Sequence, residues 1–193
     1  MKQEAQAPKK TLHAKEILQP ALALFVFCLI VTALLAGTNL LTRDQIAEQN
    51  RLAEEASRLT VSPGAESFSP SADGTYYLAE AGGETVGYVF TTTASSYGGQ
   101  IRVMTGISTD GTITGVSLLE ISDTPGLGMN AQREEFRTQY EKPAPPDGFT
   151  VLKNGTPDNT QISAMTGATI TSQAVTDAVN EAVAQYYAIK EAE

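Results

Sequence analysis

The sequence predicts an α+β protein: one N-terminal transmembrane helix, followed by a single domain in which an antiparallel sheet meander is packed by helices. Three observations predict it. An uncharged apolar run from Pro20 to Leu41 has the length of a membrane span. Four segments rich in Thr, Val, Ile and Tyr then alternate with glycine turns. The last twenty or so residues carry apolar side chains at helical spacing.

Within Pro20 to Leu41 the polar residues are Thr32, Thr38 and Asn39, and no charge stands between Glu16 and Arg43. At 1.5 Å per residue the run makes a helix of roughly 33 Å, enough to cross a hydrocarbon core of about 30 Å. A cleaved signal peptide would have a shorter apolar core and a small-x-small site at its end. The window Ala33 to Thr38 lacks that pattern, and Thr38 stands where a lipoprotein signal needs cysteine. The reading is therefore an uncleaved anchor over 18–41, after a tail of 1–17. Lys2, Lys9, Lys10 and Lys15 precede the span against Glu4 and Glu16, whereas the nearest basic residues after it, Arg43, Arg51 and Arg58, are interleaved with acids. That bias puts the N-terminus in the cytoplasm and everything after about Thr42 outside it, on a single-pass protein of the cell membrane.

Of the 13 Lys/Arg and 22 Asp/Glu in the chain, four and two precede Thr42, which leaves 9 and 20 beyond it. An acidic domain of this kind offers nucleic acid no phosphate-neutralising surface, and it is repelled by anionic lipid. About 150 residues suffice to bury a core without disulfides. None can form, because Cys28, the one cysteine, lies in the apolar run and reads as a small hydrophobe. The one histidine, His13, is in the tail. The domain thus lacks the ligands for a zinc site, an iron–sulfur cluster or a histidine-held haem, and it lacks a Ser-His or Cys-His pair. Neither catalytic nor metal-binding residues are assigned, and a bound cofactor becomes the attractive source of chemistry.

Beyond the anchor, Thr42 to Leu59 is charged and alanine-rich with Ile46, Leu52 and Ala53 at helical spacing, and reads as a helical stalk. Val61 to Gly74, rich in Ser, Pro and Gly, reads as a surface segment that completes a stalk and linker over 42–74. The domain over 75–193 opens with strands at Thr75 to Ala79, Thr85 to Thr93, Ile101 to Ile107 and Thr112 to Glu120. The turns between them are Gly82-Gly83, Gly98-Gly99 and Asp110-Gly111. Met129 to Glu141 is expected to be a helix burying Phe136 and Tyr140, and the prolines of Pro143 to Gly148 end it. A short strand at Phe149 to Leu152 follows. A final helix from about Ser172 to Ile189 has Val175, Ala178, Val179, Ala182, Val183 and Tyr186 on one stripe.

Just before that helix the chain reads Thr166-Gly167-Ala168-Thr169-Ile170-Thr171-Ser172. Hydroxyls around a glycine, followed by a helix start with its free N–H groups and positive dipole end, suit a phosphate. The same residues also serve a plain turn with an N-cap. Some forty residues earlier stands Asp123-Thr124-Pro125-Gly126-Leu127-Gly128, a Pro-Gly turn by composition.

In this order and at this distance, Thr-Gly-Ala-Thr and Asp-Thr-Pro-Gly-Leu-Gly resemble the two motifs of the FMN-binding domain family. With the single anchor, the chain is similar to the G subunits of Rnf-type complexes, ferredoxin:NAD oxidoreductases coupled to ion movement. More distantly it is similar to the C subunits of sodium-pumping NADH:quinone oxidoreductases. The resemblance implies FMN esterified through its phosphate to the last threonine of the motif, Thr169. Thr171 is the local competitor, which spacing alone does not separate from it. Thr166, Gly167 and Ala168 are implied to support the attachment. Thr124, Pro125, Gly126, Leu127 and Gly128 are implied to form a tight loop against the flavin. Tyr97, Gly98 and Gly99 match a Tyr-Gly-Gly element of the family, although the loop also reads as an ordinary hairpin turn. One position departs from the pattern: the acid usually found three residues before the first threonine is here Ser163, and the nearest earlier acid is Asp158.

An alcohol is a poor nucleophile at its free pKa. The resemblance therefore implies a flavin transferase that uses FAD and magnesium, alongside the other membrane and peripheral subunits of the complex. The function it implies is that of an electron-carrying translocase component without activity on a free substrate. The alternatives are an FMN-carrying component of the related quinone-reducing pump or of another extracytoplasmic reductase, and a membrane-anchored scaffold with no redox role.

Overall fold

The computed structural model describes residues 14–192, so His13 and the tail lysines Lys2, Lys9 and Lys10 lie outside the described residues. The chain divides into two compact units, the first ending at Asn50 and the second beginning at Arg51. That division falls inside one continuous helix, α1 (Ala14–Val61).

In the first unit, α1 leaves Leu22, Leu24, Phe25, Phe27, Leu34 and Leu35 more than half exposed. Its most apolar 18-residue window has a mean hydropathy of 2.5 and no part of it buried against protein, so the helix is long and apolar enough to cross a membrane. Thr38 and Thr42 donate their hydroxyls to the carbonyls of Leu34 and Thr38, at 2.9 and 3.0 Å. Each hydroxyl is satisfied within its own helix, which removes most of the cost of placing it in lipid.

The second unit is built on a five-stranded antiparallel meander in sequential order: β1 (Ser67–Pro70), β2 (Tyr76–Ala81), β3 (Glu84–Ser96), β4 (Gly99–Ser108) and β5 (Ile113–Glu120). The glycine pairs act as the sequence requires. Gly82 and Gly83 both take positive φ, +60° and +83°, as the tight turn between β2 and β3 demands. Alternation along β3 and β4 then assigns side chains to two faces. Tyr88, Phe90, Ile101, Val103 and Ile107 go to one; Val89 and Met104 go to the other.

The first face is covered by the C-terminal helix α3 (Thr169–Ala192), whose Val175, Ala178, Val179, Ala182, Val183 and Tyr186 are all buried in the main core. The stripe read from the sequence is the packed stripe, and each fully buried large side chain contributes about 1.5–3 kcal/mol. The opposite face receives the end of α1. Val61 is fully buried with Ala79, Val89 and Met104, and Thr114 Oγ1 donates to the Val61 carbonyl. Glu54 pairs with Arg102 at 2.8 Å, and Arg102 pairs in turn with Glu120. The Arg58 guanidinium lies 3.9 Å from the centre of the Tyr77 ring. Residues 51–59, expected to be stalk, and Val61, expected to open the linker, are thus part of the domain's packing.

The expected helix Met129 to Glu141 is replaced by three short pieces: a 3-10 turn at Gly128–Gln132, a four-residue helix α2 (Glu134–Arg137) and a second 3-10 turn at Thr138–Tyr140. Arg133 is extended (φ −71°, ψ 146°) and breaks the helix. Its buried residues explain the break: Ala131, Phe136 and Tyr140 are five and then four apart, which one helical stripe cannot serve. The segment 61–74, expected to be surface loop, contains β1. The strand near Phe149 is β6 (Thr150–Leu152), and it pairs in parallel with an unanticipated β7 (Gln161–Ser163). Asn180 of α3 holds Phe149 at both its N–H and its carbonyl, at 2.7 and 2.9 Å. Buried Tyr140 and Thr176 share a 2.8 Å hydrogen bond. These contacts fix the middle of α3 against the rest of the domain.

Candidate functional site

Three connections converge at one end of the sheet. The first is Thr124 to Leu127. Proline in its second position, Gly126 at φ +76° in its third, and a Leu127 N–H to Thr124 carbonyl bond of 3.2 Å make it a type II turn. Asn130 seals it by donating to the Gly126 carbonyl at 2.7 Å. The second is Met165 to Ala168, built the same way: Gly167 has φ +77° and the Ala168 N–H reaches the Met165 carbonyl at 3.0 Å. Ser172 ties this turn to α3, accepting from the Met165 N–H and donating to the Ala168 carbonyl. The third is the β3–β4 hairpin tip at Tyr97-Gly98.

Asp123 joins the three. Its Oδ2 accepts from the hydroxyls of Ser96 and Thr171, and its Oδ1 accepts from the Gly98 N–H, each at 2.5 Å. Asp123 as a whole is 4% exposed. Burial, the largest single influence, pushes its pKa upward. The three donors together outweigh that and hold the carboxyl below its ordinary range. Close approach makes glycine necessary at two neighbours. A Cβ on Gly98 would strike the Ser122 carbonyl, and one on Gly128 would stand 2.6 Å from both Asp123 Cβ and Thr171 Oγ1.

Around this hub lies a cleft of about 490 Å³. Of the residues singled out in the sequence, Tyr97, Thr124, Leu127, Gly128, Gly167, Ala168, Thr169 and Thr171 line it. Gly98, Gly99, Pro125, Gly126 and Thr166 do not; they shape the turns that present the others. Two lining residues, Asp123 and Ile170, were not singled out as site residues. Asp123 was legible as the first residue of its motif. Ile170 was legible as a large apolar side chain in the helix's first turn that falls off the core stripe.

The two candidate threonines differ sharply. Because α3 begins at Thr169, three residues before the expected start, both lie in its first turn. Thr171 is 2% exposed and its hydroxyl is spent on Asp123. Thr169 is half-buried on the cleft wall, and among the described residues its hydroxyl has no hydrogen-bond partner. The first helical N–H that bonds back along the chain is that of Ser172, to the Ala168 carbonyl at 3.0 Å. The N–H groups of Thr169, Ile170 and Thr171 therefore have no acceptor within the helix.

The cleft pairs this anion-favouring helix start with an apolar rim. Tyr97, Ile170 and Leu127 remain 74%, 59% and 44% exposed at its mouth. No lysine or arginine lines it, and Asp123 is its one charged lining residue. A planar aromatic ligand with an anionic tail matches both halves.

Residues 96–184, which carry the hairpin tip and both motifs, match a family model described as the FMN-binding domain. Residues 1–61 match one described as the RnfG N-terminal region. The chain is 34% identical over 192 residues to the G subunit of the Na(+)-translocating ferredoxin:NAD(+) oxidoreductase complex of Acetobacterium woodii, covering 89% of this chain and 92% of that protein. It is 34% identical over 163 residues to the proton-translocating counterpart of Clostridium ljungdahlii, covering 84% and 87%. It is also 34% identical over 182 residues to the G subunit of the ion-translocating oxidoreductase complex of Methanosarcina acetivorans, covering 88% and 94%. Among solved structures, Shewanella oneidensis NqrC shares the fold, with a TM-score of 0.53 at 17% identity over 69% of this chain and 73% of that one.

Proposed function

The chain belongs to the G-subunit family of the Rnf-type ion-translocating oxidoreductase complexes, and on that footing we propose that its cleft carries FMN as a phosphoester of Thr169, on the outer side of the membrane. Membership makes it a membrane-anchored flavoprotein subunit of an electron-transporting translocase. The curated relatives from Acetobacterium woodii and Clostridium ljungdahlii are named for electron transfer between ferredoxin and NAD(+) with ion translocation. The same coupled reaction is the role inferred for the complex in which this chain sits.

The observation that carries the attachment site is the contrast between two hydroxyls two residues apart. Thr169 Oγ1 is unengaged and faces the cleft, whereas Thr171 Oγ1 is buried and donates to Asp123. A phosphate on Thr171 would lose that hydrogen bond and place its charge against the carboxylate. On Thr169 it would meet the N–H groups of the first turn of a 24-residue helix instead.

FMN supplies the capacity to accept and release one or two electrons; the chain's residues bind, orient and shield. The first turn of α3 would hold the phosphate. Gly167, whose missing side chain leaves room beside Leu127, would let the ribityl chain pass. Tyr97, Leu127 and Ile170 would cover the ring. Since no cation lines the cleft, a covalent bond is the means by which an extracytoplasmic cofactor would be retained.

Attachment requires a flavin transferase. In that step Thr169 Oγ1 would bond to the flavin-side phosphorus of FAD, the phosphoanhydride bond would break, AMP would leave, and the hydroxyl proton would pass to a base on the transferase. The lysine bias of the N-terminal tail supports an outward-facing domain.

The test is to produce the full chain with a flavin transferase and read flavin fluorescence on a denaturing gel together with the intact mass. Wild type and Thr171→Val are expected to carry one FMN, and Thr169→Ala none. Flavin that persists in Thr169→Ala would overturn the assignment. An unmodified wild-type mass would favour a scaffold role over covalent attachment.

A further inference from the structure

Asp123 does more than fill space between two turns. Its carboxylate binds Ser96 Oγ and the Gly98 N–H, the two neighbours of Tyr97, so the hairpin tip that projects Tyr97 over the cleft is held on both sides by one residue. The same carboxylate binds Thr171, next to Ile170. Gly128, next to Leu127, packs with no space for a side chain against its Cβ. All three apolar residues at the cleft mouth are therefore set by neighbours that touch Asp123. The residue also lines the cleft itself and is its one charged lining residue.

From this geometry we propose that Asp123 is the positioning residue of the flavin site: it fixes the aperture between Tyr97 and the start of α3, and its negative charge opposes electron uptake by the bound flavin. The inference rests on the attachment proposed above and goes beyond it by assigning control of the flavin's surroundings and potential to a residue outside the attachment motif. Three hydrogen-bond donors converge on the carboxylate and stabilise its ionised form. A fixed charge on a buried residue is only partly screened, so it acts on whatever occupies the cleft beside it. Both functions follow from one buried group, but they separate by mutation. Removing a donor loosens the aperture and keeps the charge; replacing the acid by its amide removes the charge and turns one of its two acceptor atoms into a donor.

The experiment uses the full flavinylated chain. Flavin midpoint potential is measured by redox titration, and access to the ring by iodide quenching of flavin fluorescence. In Asp123→Asn the potential is expected to shift positive and quenching to increase. In Ser96→Ala quenching is expected to increase while the potential moves far less. Asp123→Glu, which restores the charge, is expected to return the potential toward the wild-type value. A potential in Asp123→Asn equal to that of wild type, or quenching in Ser96→Ala equal to that of wild type, overturns the proposal. Should Asp123→Asn not fold, the Ser96→Ala quenching still decides the aperture, and the potential of Asp123→Ser, which also lacks the charge, decides the electrostatic role, since a merely structural acid would leave the flavin's potential indifferent to charge. A wild-type chain without flavin would instead overturn the attachment on which the inference rests.

Discussion

Gly128 and Thr171 meet where the two motifs cross: a methyl group on the glycine would stand 2.6 Å from the threonine Oγ1. Forty-three positions separate them in the chain, yet a side chain on the one would displace the hydroxyl of the other. The glycine is small because the threonine hydroxyl must reach Asp123, and the hydroxyl reaches Asp123 only because nothing intervenes.

Gly128→Ala is accordingly expected to lower stability by about 1–3 kcal/mol, the usual cost of forcing atoms into a packed site, and to reduce flavin attachment at Thr169. Denaturant midpoints and in-gel flavin fluorescence measure the two effects. Gly128 does not take positive φ, so backbone strain is not the cause. A variant with wild-type stability and full flavinylation would show that the start of α3 tolerates displacement.

Much of this was legible in the sequence for reasons that are local. Strands β2 to β5 follow from period-two alternation and from glycines at turns, and the buried stripe of α3 follows from helical period. What was not legible depends on distant partners. Arg133 breaks the expected helix over 129–141 so that Ala131, spaced five residues before Phe136, can be buried in the same core as Phe136 and Tyr140. Strand β7 exists only because β6 is there to pair with it. The end of α1 becomes domain because Gly106 and Gly115 leave bare backbone for Val61, whose Cα would lie 2.8 Å from a Cβ on Gly115. At the site, the motifs offered both Thr169 and Thr171, and what sets their hydroxyls apart, the bond from Thr171 to Asp123 forty-eight residues away, was not legible. For Ser163 the structure gives a local partner, the Gln139 side chain that accepts its N–H at 2.8 Å, and no acid in its place.

The buried acid also makes stability depend on pH. The folded-state pKa of Asp123 lies below the ordinary 3.8, so in the window between the two the unfolded chain binds more protons. Stability from this group is then fully present above about 3.8 and is lost as pH falls through the folded-state value. Asp73, drawn down to about 2 by the Ser71 hydroxyl and then by Thr75, adds a titration of the same sign from an exposed turn, where solvent screens it. Urea unfolding followed from neutral pH into the acid range is expected to show a falling midpoint for wild type. Asp123→Asn should start lower and fall less steeply. Parallel curves for the two proteins would mean that this carboxyl titrates alike in both states.

Sidedness decides function, because a flavin on the outer face and one on the inner face would serve different partners. The lysines before the span set the expected orientation; the acids beyond it contribute little to that rule. A single cysteine read by a membrane-impermeant thiol reagent tests it directly. The Gly82-Gly83 turn is the obvious exposed place, but both glycines take positive φ, where a cysteine would be strained. Glu84, exposed at the start of β3 and paired with Ala81 across that turn, accepts a side chain without strain. With Cys28 replaced by alanine, Glu84→Cys is expected to react in intact cells stripped of any outer barrier. Reaction only after the membrane is broken would place the domain in the cytoplasm. It would also remove the reason for holding the flavin by a covalent bond, since a cytoplasmic site could be refilled from the soluble pool.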